Sequence, residues 1–217
     1  MRGAVNDRFG QRRNTYNLGV GYRRLLSDNN ILLGGNLFYD VETKYSIKRW
    51  SFGAEARWNA FDLYFNKYYG ISDWTGTNDG AQEKPLDGYD VDLAMQVPYL
   101  PWAKVHAINY RYDKERASED LRGNKFSFEG QLTSNLILEI GRDNHADNLA
   151  SDGNFAMIRF SLAGQNEKRP TAFNKLVSAN AFDARDMSEH TLDRVRRNNI
   201  ITVERRSSGG VVIARGD

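Results

Sequence analysis

The chain contains no cysteine. Disulfide scaffolds, thiolate nucleophiles and cysteine-ligated metals are thereby excluded. A protein exported through an oxidising compartment would have nothing to mispair. Histidine is scarce, and His106, His145 and His190 fall at no metal-ligand spacing. Neither a G-x-S-x-G elbow nor a phosphate-binding loop occurs. No enzyme, no metal and no other cofactor is expected. Neither sign of charge dominates, with 30 Lys and Arg against 28 Asp and Glu. No basic patch stands out, so nucleic acid is not an expected partner. No stretch of eighteen apolar residues occurs, which excludes a transmembrane helix. The opening MRGAVNDRFG lacks the apolar core of a signal peptide. An exported form is expected to carry its signal upstream. Proline is rare, at 4 in 217. Pro85, Pro98 and Pro101 are placed in connections and Pro170 after the last alternating segment, so no expected strand is interrupted.

None of these absences touches a transmembrane β-barrel, which needs only alternating strands and can be polar on half of each one. What the chain does contain is alternation. In NLGVGYRRLL, residues 17–26, Leu18, Val20 and Tyr22 share one face, and Gly19, Gly21 and Arg23 share the other. Period-two segments recur at 14–24, 29–41, 48–58, 60–70, 88–97, 104–113, 124–133, 135–142 and 154–163, with a further one near 3–9. In 48–58, Trp50, Phe52, Ala54, Ala56 and Trp58 oppose Ser51, Gly53, Glu55 and Arg57. In 104–113, Ile108, Tyr110 and Tyr112 form the expected apolar face, against Asn109, Arg111 and Asp113. Aromatics gather at segment ends, among them Tyr16, Tyr39, Trp50, Trp58, Tyr69, Tyr99 and Trp102. Rings with a polar tip suit a membrane–water boundary; ordinary sheet aromatics are the plainer alternative.

Two architectures share this pattern. In a soluble β-sandwich the polar face meets water; in a barrel it lines a lumen. The connections discriminate. LSDNN, NA, PYLPWA and SN are short, and they alternate with the longer VETKYSI, ISDWTGTNDGAQEKPLDG, KERASEDLRG and DNHADNLASDG. Short turns at one rim and long loops at the other are the barrel pattern. Counting along it, the last strand ends on the short-turn, periplasmic side. The tail after it no longer alternates. SEHTLDRVRR reads as a short helix with Ser188 as its N-cap, and NNIITVERR reads as extended. The tail arginines Arg194, Arg196 and Arg197, with Asn198 and Asn199, are candidates to sit inside the barrel. They would face a lumen lined by Asp40, Glu55, Arg57, Asp90, Asp92, Arg111, Glu129 and Glu139.

NLGVGYRRLL, LLGGNLFYDVE, KRWSFGAEARW, ISDW, LDGYDVDLAMQVPYLPW and LDRVRRNNIITVERR occur here in one order across nearly the whole chain. In these pieces the chain resembles the intimin/invasin family, the inverse autotransporters of Gram-negative outer membranes. The resemblance implies an all-β, antiparallel outer-membrane barrel of twelve strands, then a helical or extended linker that threads the pore. Residues 1–13 would be a remnant of N-terminal barrel strands, 14–164 the barrel, 165–205 the linker, and 206–217 the start of a passenger or a cut end. The implied role is type V secretion: export and surface display of a C-terminal adhesin. The implied partners are outer-membrane lipid, the barrel assembly machinery and periplasmic chaperones. The passenger would add a host or bacterial surface receptor. A porin-like channel and a soluble binding module are the alternatives.

Overall fold

In a computed structural model the described residues are 2–146, 152–160 and 169–215. Ten strands form one antiparallel sheet: β1 (Arg2–Arg8), β2 (Gln11–Leu26), β3 (Ile31–Glu42), β4 (Ile47–Trp58), β5 (Phe61–Gly70), β8 (Gly88–Val97), β9 (Leu100–Tyr112), β10 (Leu121–Gln131), β11 (Leu136–His145) and β12 (Gly153–Phe160). Each pairs with its neighbour in sequence. Among the described residues β1 and β12 are the sheet's two edges and do not pair with each other. Two short strands in the loop after β5, β6 (Thr75–Gly76) and β7 (Gln82–Pro85), join two tail strands, β13 (Val203–Ser207) and β14 (Gly210–Ala214). These make a second sheet in the order β14-β13-β7-β6.

The side-chain period of a strand is two, so each strand has one apolar and one polar face. The apolar face is the exposed one. Val20 is 73% exposed and Tyr22 75%, whereas Asn17 on the opposite face is 1% exposed. Buried with Asn17 are Arg13, Asp40, Arg49, Glu55, Arg57, Asp62, Asp90 and Asp92. A water-soluble sandwich requires the reverse. Tyr39 and Trp50 are cross-strand partners on the exposed face, and Tyr69 continues the row. Ile31, Trp58 and Phe61 form a second row at the other rim. Trp50 and Trp58 lie eight residues apart on β4. That is ~26 Å along the strand, or ~20 Å across a bilayer at the usual tilt, close to the height of a barrel's apolar band.

The expected segments match the strands closely, and the segment near 3–9 is β1, paired with β2 from Arg2↔Asn17 to Arg8↔Gln11. Residues 161–163 of the last expected strand lie outside the described residues, as does the expected linker start at 165. Three expectations are corrected. On β9 the faces are exchanged: Tyr110 and Tyr112 are buried, while Arg111 points outward and pairs with Asp113 and Asp120. The two tyrosines pack instead on Tyr68, Leu86, Leu121 and Ile213, an apolar cluster at the long-loop end of the lumen. Pro101 lies inside β9, not in a connection. A register shift between Gln96 and Val97 pairs Val97 with Leu100 there, and a bulge next to a strand start tolerates the missing N–H. The third correction concerns the tail. SEHTLDRVRR is no helix beyond one 3₁₀ turn, Met187–His190, and its N-cap is Asp186, whose carboxylate accepts from the Ser188 N–H. The arginines after it lie on non-helical backbone and reach different strands.

Candidate functional site

The tail crosses the space enclosed by the sheet, and its contacts trace the path. Near the short turns, Ser178 N–H donates to the Tyr99 carbonyl at 2.8 Å, and Tyr99 N–H donates to the Ala181 carbonyl at 2.9 Å. Arg185 donates to the Asn59 carbonyl at 2.8 Å, and Met187 N–H to the Asn29 carbonyl at 2.8 Å. Residues 190–200 then run through the polar interior. Beyond them, Leu86 N–H in the long loop donates to the Thr202 carbonyl at 3.0 Å. Residues 190–200 reach β2, β3, β4, β5, β8, β9, β10 and β11 through side-chain hydrogen bonds. A sheet that meets one segment with so many of its strands is wrapped around it.

Arg196 and Arg197 follow each other in sequence and point to opposite walls. Arg196 donates to Asp92 on β8 at 2.6 Å, Glu129 on β10 at 3.0 Å and Glu139 on β11 at 2.7 Å. Arg159 on β12 also pairs with Glu129 and Glu139, and His106 on β9 lies 3.0 Å from Asp92. Arg197 donates to Asp40 on β3 and, at 2.9 Å, to the Ser51 hydroxyl on β4. A guanidinium presents five fixed donors and cannot lose its charge, so each arginine spans several strands. Ions in a low-dielectric interior cost several kcal/mol each unless paired and hydrogen-bonded; here the wall and the tail supply each other's partners.

The other expected residues divide as follows. Asn198 N–H donates to the Tyr68 hydroxyl at 2.9 Å, and its carbonyl accepts from Arg49 at 2.8 Å. The Asn199 carbonyl accepts from Asn17 at 3.0 Å. Glu55 holds Arg23, which donates to the carbonyls of Thr191 and Asp193. Arg57 pairs with Asp193 at 2.8 Å. Asp90 accepts from Asn66 and Tyr68, and both of these contact the tail. Arg111 is outside the lumen. Arg194 is exposed and makes no ion pair among the described residues. Sequence reasoning missed Asn17, Arg23, Arg49, Asn66, Tyr68 and, on the tail, Asp193. All the strand residues in that set share the polar face of their strands, within the expected segments, so reading that face in full exposes them. Asp193 carried no such signal, because the tail does not alternate.

Residues 5–199 match the family described as inverse autotransporter, beta-domain. Invasin of Yersinia enterocolitica is 29% identical over 131 residues, 58% of this chain and 15% of invasin. Intimin of Citrobacter freundii is 31% identical over 101 residues, 46% of this chain and 11% of intimin. The chain thus spans a small part of these relatives. A solved structure from a study of in-meso crystallisation of membrane proteins superposes with a TM-score of 0.70 at 22% identity, covering 89% of this chain and 81% of that one. That likeness concerns the fold, and the family match covers the strands and the lumen-crossing tail together. The chain belongs to the inverse autotransporter beta-domain family.

Proposed function

We propose that this chain is an outer-membrane translocator and anchor that holds an exported C-terminal segment in its lumen and displays an adhesin beyond it. The observation that carries the reading is the path of residues 178–205, from the short-turn rim to the long-loop rim inside a sheet whose exposed face is apolar. The short turns face the periplasm and the long loops face outward. Residues 165–205 act as the linker, and residues 206–217 lead towards a passenger. The role is positional: it needs binding, exclusion and anchoring, but no chemical step. Arg196 and Arg197 hold the tail by pairing with walls on opposite sides. Lipid surrounds the apolar band, the barrel assembly machinery and periplasmic chaperones deliver the chain, and a passenger contacts a host or bacterial surface receptor.

The test is the side of the membrane on which the tail emerges. An epitope inserted between Gly209 and Gly210, at the exposed turn between β13 and β14, is probed with antibody on intact cells. Labelling of intact cells is the expected result. Labelling only after the outer membrane is opened, with the barrel inserted, would replace this reading with a porin-like channel.

A further inference from the structure

The tail is gripped at a second place, outside the lumen. The loop between β5 and β8 folds back so that β7 offers an open strand edge at the pore mouth. β13 fills that edge in antiparallel register, with Val203↔Pro85, Glu204↔Lys84, Arg205↔Glu83 and Arg206↔Gln82. Backbone pairing of this kind accepts many sequences, and the side chains then select. Here the selecting groups are few. Arg205 donates to Glu83 at 2.9 Å and to Asp79 at 2.5 Å. Glu83 is itself fixed by Arg13 of β2 at 2.8 Å. The Thr77 hydroxyl and then Arg205 hold the Asp79 carboxyl down at about 2. On the other side of β13, the Glu204 carboxylate accepts the backbone N–H groups of Glu115 and Arg116, each at 2.8 Å, in the loop between β9 and β10. Two loops from different hairpins therefore converge on four consecutive tail residues, Val203–Arg206.

We infer that β7 is a receptor strand for exported polypeptide and that its pairing with β13 is a latch, holding the tail forward independently of the lumen ion pairs. This rests on the translocator reading above. An extended chain emerging from the pore meets an unpaired edge at the mouth, and an unpaired edge binds strands. Val203–Arg206 is retained there because Arg205 meets two carboxylates and Glu204 meets two free amides. The latch and the plug divide the work. The plug fills the lumen, and the latch resists return of the tail towards the periplasm.

The chain lacks cysteine, so an engineered pair has no competitor. Gln82 and Arg206 are exposed register partners, at a spacing a disulfide can bridge. Three proteins are compared in planar bilayers: the parent, Arg205→Glu, and Arg205→Glu with Gln82→Cys and Arg206→Cys. Arg205→Glu repels Glu83 and Asp79 and leaves Arg13 its partners. Opening events should rise about tenfold or more over the parent, the factor for one lost charge-assisted bond. The oxidised cysteine protein should fall back to the parent's rate, and reductant should restore the openings. If Arg205→Glu opens no more often than the parent, or the oxidised and reduced forms behave alike, the latch carries no load and the inference is overturned. A further protein, Arg196→Glu with Arg197→Glu, separates the two readings. Frequent openings there alone would leave the plugged barrel standing and remove the latch. Failure of every protein to insert would remove both.

Discussion

Arg197 of the tail and Asp40 of β3 face each other with both side chains fully buried, joined at 3.0 Å and 2.5 Å. Asp40 also receives Arg49 of β4 at 2.8 Å. One carboxylate thus serves two guanidiniums, one from the wall and one from the tail. The two partners should not be equivalent on mutation. Arg197→Gln removes one cation and leaves Asp40 paired with Arg49. Asp40→Asn leaves two buried cations around a neutral amide. Breaking a buried pair costs ~3–5 kcal/mol, and Asp40→Asn should lie at or above that range, with Arg197→Gln well below it. Urea unfolding of the detergent-folded protein, followed by gel mobility without heating, gives the order. The reverse order would mean that Arg49 does not share Asp40.

Arg196 makes the complementary prediction on the opposite wall. Among the described residues it is the only tail residue that bonds Asp92, Glu129 and Glu139 together. With Arg196→Glu and Arg197→Glu, a segment held by opposite charge meets like charge on both sides. The plug should loosen, and conductance across a planar bilayer should rise from the parent's level. Unchanged conductance would count against a lumen-held tail. Arg194→Gln, which removes a charge and adds none, is the matched control. Its exposed side chain has no ion pair among the described residues, so conductance should not change.

The strands were legible in the sequence because a strand records its environment at every second residue, and ten segments repeat the record. Only the sign needed deciding, lipid outside or water outside, and the alternation of short and long connections decided it. β9 shows where the reasoning stops. Tyr110 and Tyr112 are apolar enough to be assigned to the lipid face, but they cover the apolar cluster around Ile213, a tail residue far away in sequence. Strand periodicity carries no information about a plug. The tail was misread for a related reason. SEHTLDRVRR has helical propensity, yet Arg196 and Arg197 are held by opposite walls. Each charge-assisted bond to a carboxylate outweighs the few tenths of a kcal/mol by which most residues differ in helix propensity.

Gly88, the first residue of β8, tests the close packing at the pore mouth. A Cβ built there would stand 2.3 Å from the Tyr112 ring and 2.6 Å from the Arg111 carbonyl oxygen. The ring belongs to the buried cluster and the carbonyl to the backbone of the paired strand, so neither can step aside alone. Gly88→Ala should lower stability by ~1–3 kcal/mol, the usual cost of overpacking. Gly76→Ala, where a Cβ meets nothing within 4 Å, should leave the urea midpoint in place. Equal midpoints for the two variants would mean that the mouth is looser than the Tyr110–Tyr112 packing requires.

The outward face gives the most direct separation of a membrane barrel from a soluble sheet. Phe65 of β5 pairs with Ala54 and Val91, midway between the Trp50–Tyr69 row and the Trp58–Phe61 row. Its side chain is partly exposed. In a soluble sheet Phe65→Arg would replace an exposed ring with a solvated cation and cost little. In a bilayer the cation lies near the midplane, where it costs ~2–4 kcal/mol, falling to ~0–1 near the interface. Tyr69→Arg places the same group at the girdle, four residues along the same strand. Refolding into phosphatidylcholine vesicles, titrated with urea, should show a large loss for Phe65→Arg and a small one for Tyr69→Arg. A graded cost with depth requires a lipid phase around the strand. Equal small costs at both positions would mean that water, not lipid, surrounds this face, and the translocator reading would fall with the band that supports it.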